Sequence, residues 1–212
     1  TEVSEATRTA TFTPGRDAAR KEASKLNVPR IGVRFRLPAS MNQVEYFGRG
    51  PAENYLDRNA GSMIGLYKST AEELYFPYVR PQENGHHTDT RWVSLSTGKK
   101  GLLIQADNTI GFNALRNSIE DFDDEEATGL PRQWSNFTPE QVANHDEAAA
   151  KSVLRRQHHI NDITPRDFVE VCVDLKQQGV AGYDSWGSRP EPAYTLPANR
   201  EYNWGFTLIP LK

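Results

Sequence analysis

The sequence predicts an all-β protein: a large antiparallel β-sandwich in one main domain, with one helical insertion. Two stretches indicate this class most clearly. In residues 31–37 apolar side chains alternate with Gly and Arg, and in residues 168–175 Val or Leu occupies every second position. A period of two is typical of strands that bury one face. Residues 91–96 and 101–106, joined by Thr-Gly-Lys-Lys, have the pattern of a hairpin.

The remaining strands are predicted from shorter patterns. Residues 7–13, 43–48, 111–115 and 202–208 each read as a strand, whereas residues 52–66 are rich in Asn, Asp and Gly and read as a loop. The expected organisation is a partial or loosely ordered set of N-terminal strands in residues 1–28, followed by one sandwich domain in residues 29–212.

The helical insertion is expected between residues 121 and 154. Thr138 is a suitable N-cap, Pro139 suits the first helical position, and Gln141 stands three residues after the cap. A helix over 139–154 would have a thin apolar face, so we expect it on the surface. The acidic run at 123–126 is expected to be a solvated loop.

Composition excludes several classes of function. The chain has 212 residues and a formal net charge of −3, which gives no general attraction to nucleic acid or to an anionic membrane. No apolar run approaches the length of a membrane span. The single cysteine, Cys172, lies inside a predicted strand and is expected to be buried, and it can form no intramolecular disulfide. We expect a soluble protein of the cytoplasm or periplasm.

Two pairs of adjacent histidines raise the question of a metal site. They stand at 86–87 and 158–159. Because neighbouring strand residues point to opposite faces, each pair offers at most one ligand in a given direction, and metal sites usually need three or four. We therefore expect solvated loop histidines and no bound metal. No phosphate-binding loop or nucleophile elbow is present either.

Residues 83–91 concentrate polar side chains on a loop that follows two prolines. Glu83, Asn84, His86 and Arg91 could hold sugar hydroxyls, or they could support a neighbouring loop. The sequence favours neither role. In the segment 50–58, a pairing of Arg58 with Glu53 or Asp57 would be structural.

Residues 182–187 (GYDSWG) form a Gly-rich turn after the strand at 168–175. A Trp on such a turn offers a flat apolar face and one N–H donor, which suits stacking on a sugar ring. The same pattern also caps many β-sandwiches without binding anything. Both interpretations of Trp186 therefore stand at this point.

Four stretches, taken in order, resemble a known pattern. They are RIG at 30–32, GRGPAENYLDR at 48–58, PYVRPQENG at 77–85 and GYDSW at 182–186. Their order is similar to that of the C-terminal small-chain region (domain 5) of the β-galactosidases of glycoside hydrolase family 2. The resemblance covers residues 29–212 and is weaker in 1–28. The family has Gly where this chain has Tyr183, and the stretch near 138–154 is longer than usual.

The resemblance implies a galactose-mutarotase-like supersandwich that packs beside a TIM barrel and other domains of a parent chain. The barrel would carry the catalytic glutamates of the retaining mechanism, so this chain alone is expected to be inactive. The parent would need Mg²⁺, with Na⁺ as a second candidate, through other domains. By the family's motif, Trp186 would contact a β-galactoside sugar, and Asp184 and Ser185 would hold its turn.

Other functions stay open at this point. The chain could be a stand-alone aldose-epimerase-like enzyme, which would need convergent acid and base groups such as Glu83 and a histidine. It could also be a carbohydrate-binding module, or a packing domain of a parent that assembles as a homo-oligomer.

Overall fold

The computed structural model describes residues 6–12, 27–79, 81–122, 160–184 and 188–212. These residues form eight strands and three short 3₁₀ helices. The strands are β1 (Ala6–Phe12), β2 (Arg30–Pro38), β3 (Gln43–Gly50), β4 (Met63–Thr70), β5 (His87–Ser96), β6 (Gly101–Leu115), β7 (Phe168–Gln177) and β8 (Tyr202–Leu211). The 3₁₀ helices are Ile119–Asp121, Ile160–Asp162 and Pro192–Tyr194.

The long strand β6 organises the sheet. One edge of β6 pairs with β5, which continues to β3 and β4. The other edge is shared: its first part pairs with β8, and its last part pairs with β7. Strand β1 extends the sheet beyond β8, and β2 extends it beyond β7. All of these pairings are antiparallel. Because β7 and β8 share one edge of β6, the sheet divides there into two wings, one of β8 and β1 and the other of β7 and β2.

The core lies where β5, β6 and β7 meet. Val93, Ile104, Phe112, Val171 and Val173 have no exposed surface there. The end of β6 and most of β7 are buried on both faces. Burial on both faces is what covered central strands show, whereas an open antiparallel sheet keeps one face in water.

The all-β, antiparallel class predicted from the sequence is confirmed. The predicted strands at 31–37, 43–48, 168–175 and 202–208 correspond to β2, β3, β7 and β8. The hairpin is also present, closed by a bond from Thr97 N to Lys100 O. The predicted strand at 111–115 is the second part of β6. Strand β1 pairs with β8 through all seven of its residues.

One expectation about the strands was wrong. Residues 52–66 were predicted to be a loop, but β4 begins at Met63. In the described part of the sheet β4 pairs with β3 alone, and several of its apolar side chains, including Leu66, stay exposed. Because β4 has no fully buried face, its sequence shows no regular alternation of apolar and polar residues, and this is why the strand was missed. The predicted helix at 139–154 and the acidic run at 123–126 lie outside the described residues.

Among the described residues there is no helix that is long and apolar enough to cross a membrane.

Candidate functional site

The Glu53 carboxylate joins two of the segments that the sequence singled out. Its Oε2 accepts bonds from Gly85 N at 2.7 Å and from the Tyr55 hydroxyl at 3.1 Å. Its Oε1 accepts from Arg58 at 2.8 Å and from the Tyr78 hydroxyl. Tyr55 is fully buried. One carboxylate thus fixes the 50–58 segment to the loop at 78–85, and the predicted structural pairing of Glu53 with Arg58 is present.

Asn54 secures the same segment from its other side. Its Nδ2 donates to the carbonyl groups of Arg49 and Ala52, both at 3.1 Å. Its Oδ1 accepts from the backbone N and the hydroxyl of Thr88, at 2.9 and 2.6 Å. The Asn54 backbone N donates to His86 O at 2.7 Å. Asn54 is completely buried, and every polar group of this buried amide is satisfied.

Asn84 plays a similar part inside the loop at 76–86. Its Oδ1 accepts from Phe76 N at 2.9 Å, and its Nδ2 donates to Phe76 O at 2.6 Å. The side chain thus imitates a strand partner for one residue. Asn113 on β6 then donates to Asn84 O at 2.6 Å. These contacts give Asn84 a role in supporting the loop.

Asp57 reaches the turn that leads to residues 182–187. Its Oδ1 accepts from Val180 N at 3.2 Å, and its Oδ2 accepts from Ala181 N at 2.8 Å. Gly179 lies against this carboxylate: a Cβ there would stand 2.4 Å from Oδ2. Ala181 and the residue that follows it, Gly182, have φ angles of 55° and 88°. The backbone therefore turns sharply at the point where Asp57 holds it.

A buried ionic cluster forms around Arg30 at the start of β2. One guanidinium nitrogen donates to Gln177 at 2.7 Å and to Asn113 at 2.8 Å, and the same nitrogen forms an ion pair with Glu83 Oε1 at 3.3 Å. Its Nε lies 3.1 Å from Asp174 Oδ2. Asp174 is only 1% exposed, and burial raises the pKa of its carboxyl to about 7 although Arg30 opposes this shift. The cluster connects β2, β6 and β7 with the loop that carries Glu83.

His86 is enclosed by this cluster and is almost fully buried. Its Nδ1 lies 2.8 Å from Asn113 Oδ1. Because the Asn113 amide nitrogen donates elsewhere, the His86 Nδ1 is the donor in this bond. Its ring stacks on Tyr55 with centroids 5.7 Å apart. Burial, reinforced by the nearby Arg30 charge, lowers the pKa of His86 to about 3, so the imidazole is neutral at physiological pH.

A cavity of about 140 Å³ lies beside the cluster. Glu83, Asn113 and Cys172 are among the residues that line it, and Leu115 and Phe122 contribute apolar surface. The Glu83 side chain is 30% exposed, so its carboxylate remains accessible. Cys172 is buried, as predicted, and burial raises the pKa of its thiol to about 12, which keeps the thiol protonated and unreactive.

The residues predicted to hold the aromatic turn are only partly described. Trp186 and Ser185 lie outside the described residues. Asp184 is described, and its Oδ1 accepts a bond from Ser188 N at 3.4 Å, which connects the two sides of residues 185–187. Tyr183 is 58% exposed, and its hydroxyl accepts from Glu191 N at 3.4 Å.

Arg91 lies apart from this group. It donates to the backbone O of Asp89 at 2.6 Å, and its guanidinium lies over the Phe47 ring at 5.5 Å. It therefore packs against β3, whereas Glu83 and His86 lie at the Arg30 cluster. The Asn84 side chain binds Phe76, and Asn84 reaches the cluster only through its backbone O, which accepts from Asn113.

The expectation that His86 and His87 are solvated was wrong. Both rings are buried, at 2% and 0% exposure. His87 Nδ1 lies 3.1 Å from Gly85 O, and its ring stacks on Phe112. His87 packs against Tyr46 of β3 and Phe112 of β6, and His86 packs against Tyr55, which a polar local sequence does not reveal. Neither ring can act as the exposed base that an epimerase would need. The pair at 158–159 lies outside the described residues.

Sequence reasoning did not identify Asn113, Asp174 or Gln177 as members of the cluster. A signal was available for Asp174. Alternation in β7 places Glu170, Cys172 and Asp174 on the face opposite to its valines, and β2 carries arginines at a matching spacing. Within the described residues, no three His, Cys, Asp or Glu side chains converge in a way that could hold a metal ion.

The fold and the linked motif segments together define an antiparallel β domain in which the segments at 50–58, 76–86 and 179–181 are joined by hydrogen bonds. The family model of the β-galactosidase small chain matches residues 3–208. The chain therefore belongs to the β-galactosidase small-chain family.

Curated relatives support the same family. A β-galactosidase of Priestia megaterium is 35% identical over 185 residues, covering 87% of this chain and 15% of that protein. One from an Arthrobacter species is 40% identical over 111 residues, covering 50% and 11%. One from Vibrio cholerae is 29% identical over 181 residues, covering 85% and 14%. The chain thus spans between 11% and 15% of the length of these relatives.

Proposed function

We propose that this chain is a non-catalytic domain of a β-galactosidase, a retaining hydrolase of terminal β-D-galactosides. The observation that carries the proposal is the match to the small-chain family over residues 3–208, combined with the small share of each relative that the chain covers. The catalytic glutamates and any bound Mg²⁺ or Na⁺ would belong to other domains, among them a TIM barrel. The parent would assemble as a homo-oligomer, which the solution mass of the purified parent would test.

Within that enzyme, the turn at 182–187 would complete the sugar-binding site. Trp186 would supply an apolar face for the galactose ring, and Asp184 and Ser185 would hold the turn. The bond between Asp184 and Ser188 supports this arrangement, because it ties the residues on either side of Trp186 together. Asn84 and His86 would act behind the site as support. Glu83, which stays accessible, is the remaining candidate for a polar contact with substrate.

The test is the substitution Trp186→Ala in the full-length parent enzyme. Loss of a stacking face should weaken binding of galactose-type inhibitors by about 1–2 kcal/mol and raise KM correspondingly. Trp186→Phe, which keeps a ring, should lose less. The matched control is Phe47→Ala, which removes an exposed aromatic side chain of β3. Unchanged inhibitor binding in Trp186→Ala would contradict the proposed role of this residue.

The chain alone provides a second check. Purified in isolation, it should cleave no chromogenic β-galactoside, because it would lack the catalytic glutamates. Measurable hydrolysis that survives repurification would show that a catalytic pair lies in this chain, and the proposed division of labour between domains would be wrong.

A further inference from the structure

The Asp57 carboxylate joins two segments that are far apart in the sequence. It accepts hydrogen bonds from two successive backbone N–H groups, those of Val180 and Ala181, which lie 123 and 124 positions further along the chain. A carboxylate that accepts hydrogen bonds from two backbone N–H groups is a strong, charge-assisted anchor with a defined direction. Asp57 therefore fixes both the position and the orientation of this short piece of backbone.

The backbone at this point needs such an anchor. Ala181 has a φ of 55°, in the left-handed region that side chains with a Cβ rarely adopt, and Gly182 follows with a φ of 88°. A non-glycine residue persists there only when its surroundings hold it in place. The space beside Gly179 is filled by the same carboxylate. Asp57 thus contacts this backbone in two ways: it accepts hydrogen bonds from Val180 and Ala181, and it lies directly against Gly179.

Asp57 itself stands on a rigid support. Arg58 N donates to Tyr55 O at 2.9 Å, and the two residues form an isolated β-bridge around Asp57. Tyr55 is fully buried, and the Arg58 guanidinium lies over its ring at 4.7 Å while pairing with Glu53. The carboxylate is presented by a segment that cannot shift without disturbing the core.

We propose that Asp57 is a positioning residue for the sugar site: by holding Val180 and Ala181 it sets the direction in which the backbone continues from Ala181 towards Trp186. The inference rests on the proposed function, since its consequence is the placement of Trp186, five residues beyond Ala181. Asp57 does not touch the sugar. It acts through the backbone, and small misplacements of a binding group are costly to the reaction.

The experiment uses the full-length enzyme and three substitutions: Asp57→Ala, Asp57→Asn and the control Glu72→Ala. Glu72 is a surface carboxylate that binds Arg116 and Asn42 instead. Asp57→Ala is expected to raise KM and the inhibition constant of a galactose-type inhibitor about fivefold to tenfold, with a smaller change in kcat. Asp57→Asn keeps the shape but can accept only one of the two bonds, so its effect should be intermediate. Glu72→Ala should leave both constants unchanged.

A double substitution distinguishes this inference from the function on which it rests. If Asp57 acts through Trp186, the variant carrying both Asp57→Ala and Trp186→Ala should bind inhibitor no more weakly than Trp186→Ala alone. Additive losses would overturn the positioning role. Normal inhibitor binding in Asp57→Asn would overturn it as well. This second variant keeps the test decisive if Asp57→Ala fails to fold. If Trp186→Ala alone has no effect, the proposed function of the turn is what fails.

Discussion

His86 shows how a polar residue can serve the core of a β protein. It is enclosed by Arg30, His87 and Asp174, whose charges or rings face it, and it donates to Asn113. A protonated imidazole beside the Arg30 charge would be unfavourable in this buried place. The folded protein therefore keeps His86 neutral, with a pKa of about 3, whereas an unfolded chain would protonate it near pH 6.5.

A pH dependence of stability follows from this difference. Because the folded-state pKa of His86 is lowered, its contribution to stability is present above pH 6.5 and is lost as pH falls towards 3. Between pH 7.5 and pH 5 the unmodified chain should lose about 2 kcal/mol more unfolding free energy than His86→Gln, which cannot titrate. Urea unfolding of both proteins at the two pH values measures this difference.

The comparison between two proteins is needed because Asp174 works in the opposite direction. Burial raises the pKa of Asp174 to about 7, so its contribution is present below its unfolded pKa near 3.8 and is lost as pH rises through 7. Both proteins contain Asp174, so most of its contribution is common to them; the two side chains are 3.9 Å apart, and the difference measures His86 together with its coupling to Asp174. Equal losses in the two proteins would contradict a neutral, buried His86.

At the scale of elements, the pairing of β2 with β7 depends on complementary charge as well as on apolar contact. Glu170 on β7 is buried and accepts from Arg36 at 3.0 Å and from Arg34 at 3.5 Å. Further along, Gly32 lies opposite Asp174, next to an irregularity in the register. Gly at this position lets the carboxylate lie directly against the neighbouring strand.

Gly32→Ala tests this close approach. A Cβ at position 32 would stand 2.0 Å from Asp174 Oδ1 and 2.6 Å from Val173 O, so backbone would have to move. We expect a loss of about 1–3 kcal/mol in unfolding free energy, as for other overpacked sites. The matched control is Gly61→Ala, because a Cβ there meets nothing within 4 Å. Urea midpoints that shift equally in both variants would contradict the argument.

These two strands also show what the sequence could and could not predict. Local alternation identified β2 and β7 with nearly correct limits, since the period of side-chain burial is a local property. The contact of Arg30 with Asp174 was not predicted, because it depends on the register of strands about 140 residues apart. The burial of His86 was missed for a similar reason: its polar neighbours in sequence indicate a loop, and only tertiary packing covers it.

The candidate site, like the strands, could be predicted from the sequence only in part. The motif stretches were recognised from the sequence, and the Glu53–Arg58 pairing was among the predicted alternatives. The target of Asp57 was not predicted, since its partners are backbone N–H groups on a turn 123 positions away. Backbone groups carry no residue-specific signal, so a side chain that binds them leaves no pattern in a single sequence.

At the scale of the whole molecule, β6 is the strand on which the other elements depend. It pairs with β5, β7 and β8, so both wings of the sheet are joined through it. The apolar side chains of β6 around Phe112 occupy the core. Strands β1, β2 and β4 have one partner each among the described residues. The described domain is therefore most strongly held at its centre and ends at three edge strands.

Strand β1 has a consequence for how copies of this domain behave towards each other. It covers the backbone of β8 from Tyr202 to Leu208, a stretch rich in apolar and aromatic side chains. Without residues 1–12, β8 would present seven unpaired residues on an open edge, which is a template for adding a strand from another molecule.

Light scattering should show that a chain of residues 13–212 self-associates at concentrations where the longer chain stays monodisperse. Introducing Thr207→Lys should suppress this, since charge protects edges. Equal masses for the shorter and longer chains would contradict this role of β1. A larger mass for the shorter chain alone would show that the seven residues of β1 prevent the domain from associating with its own copies.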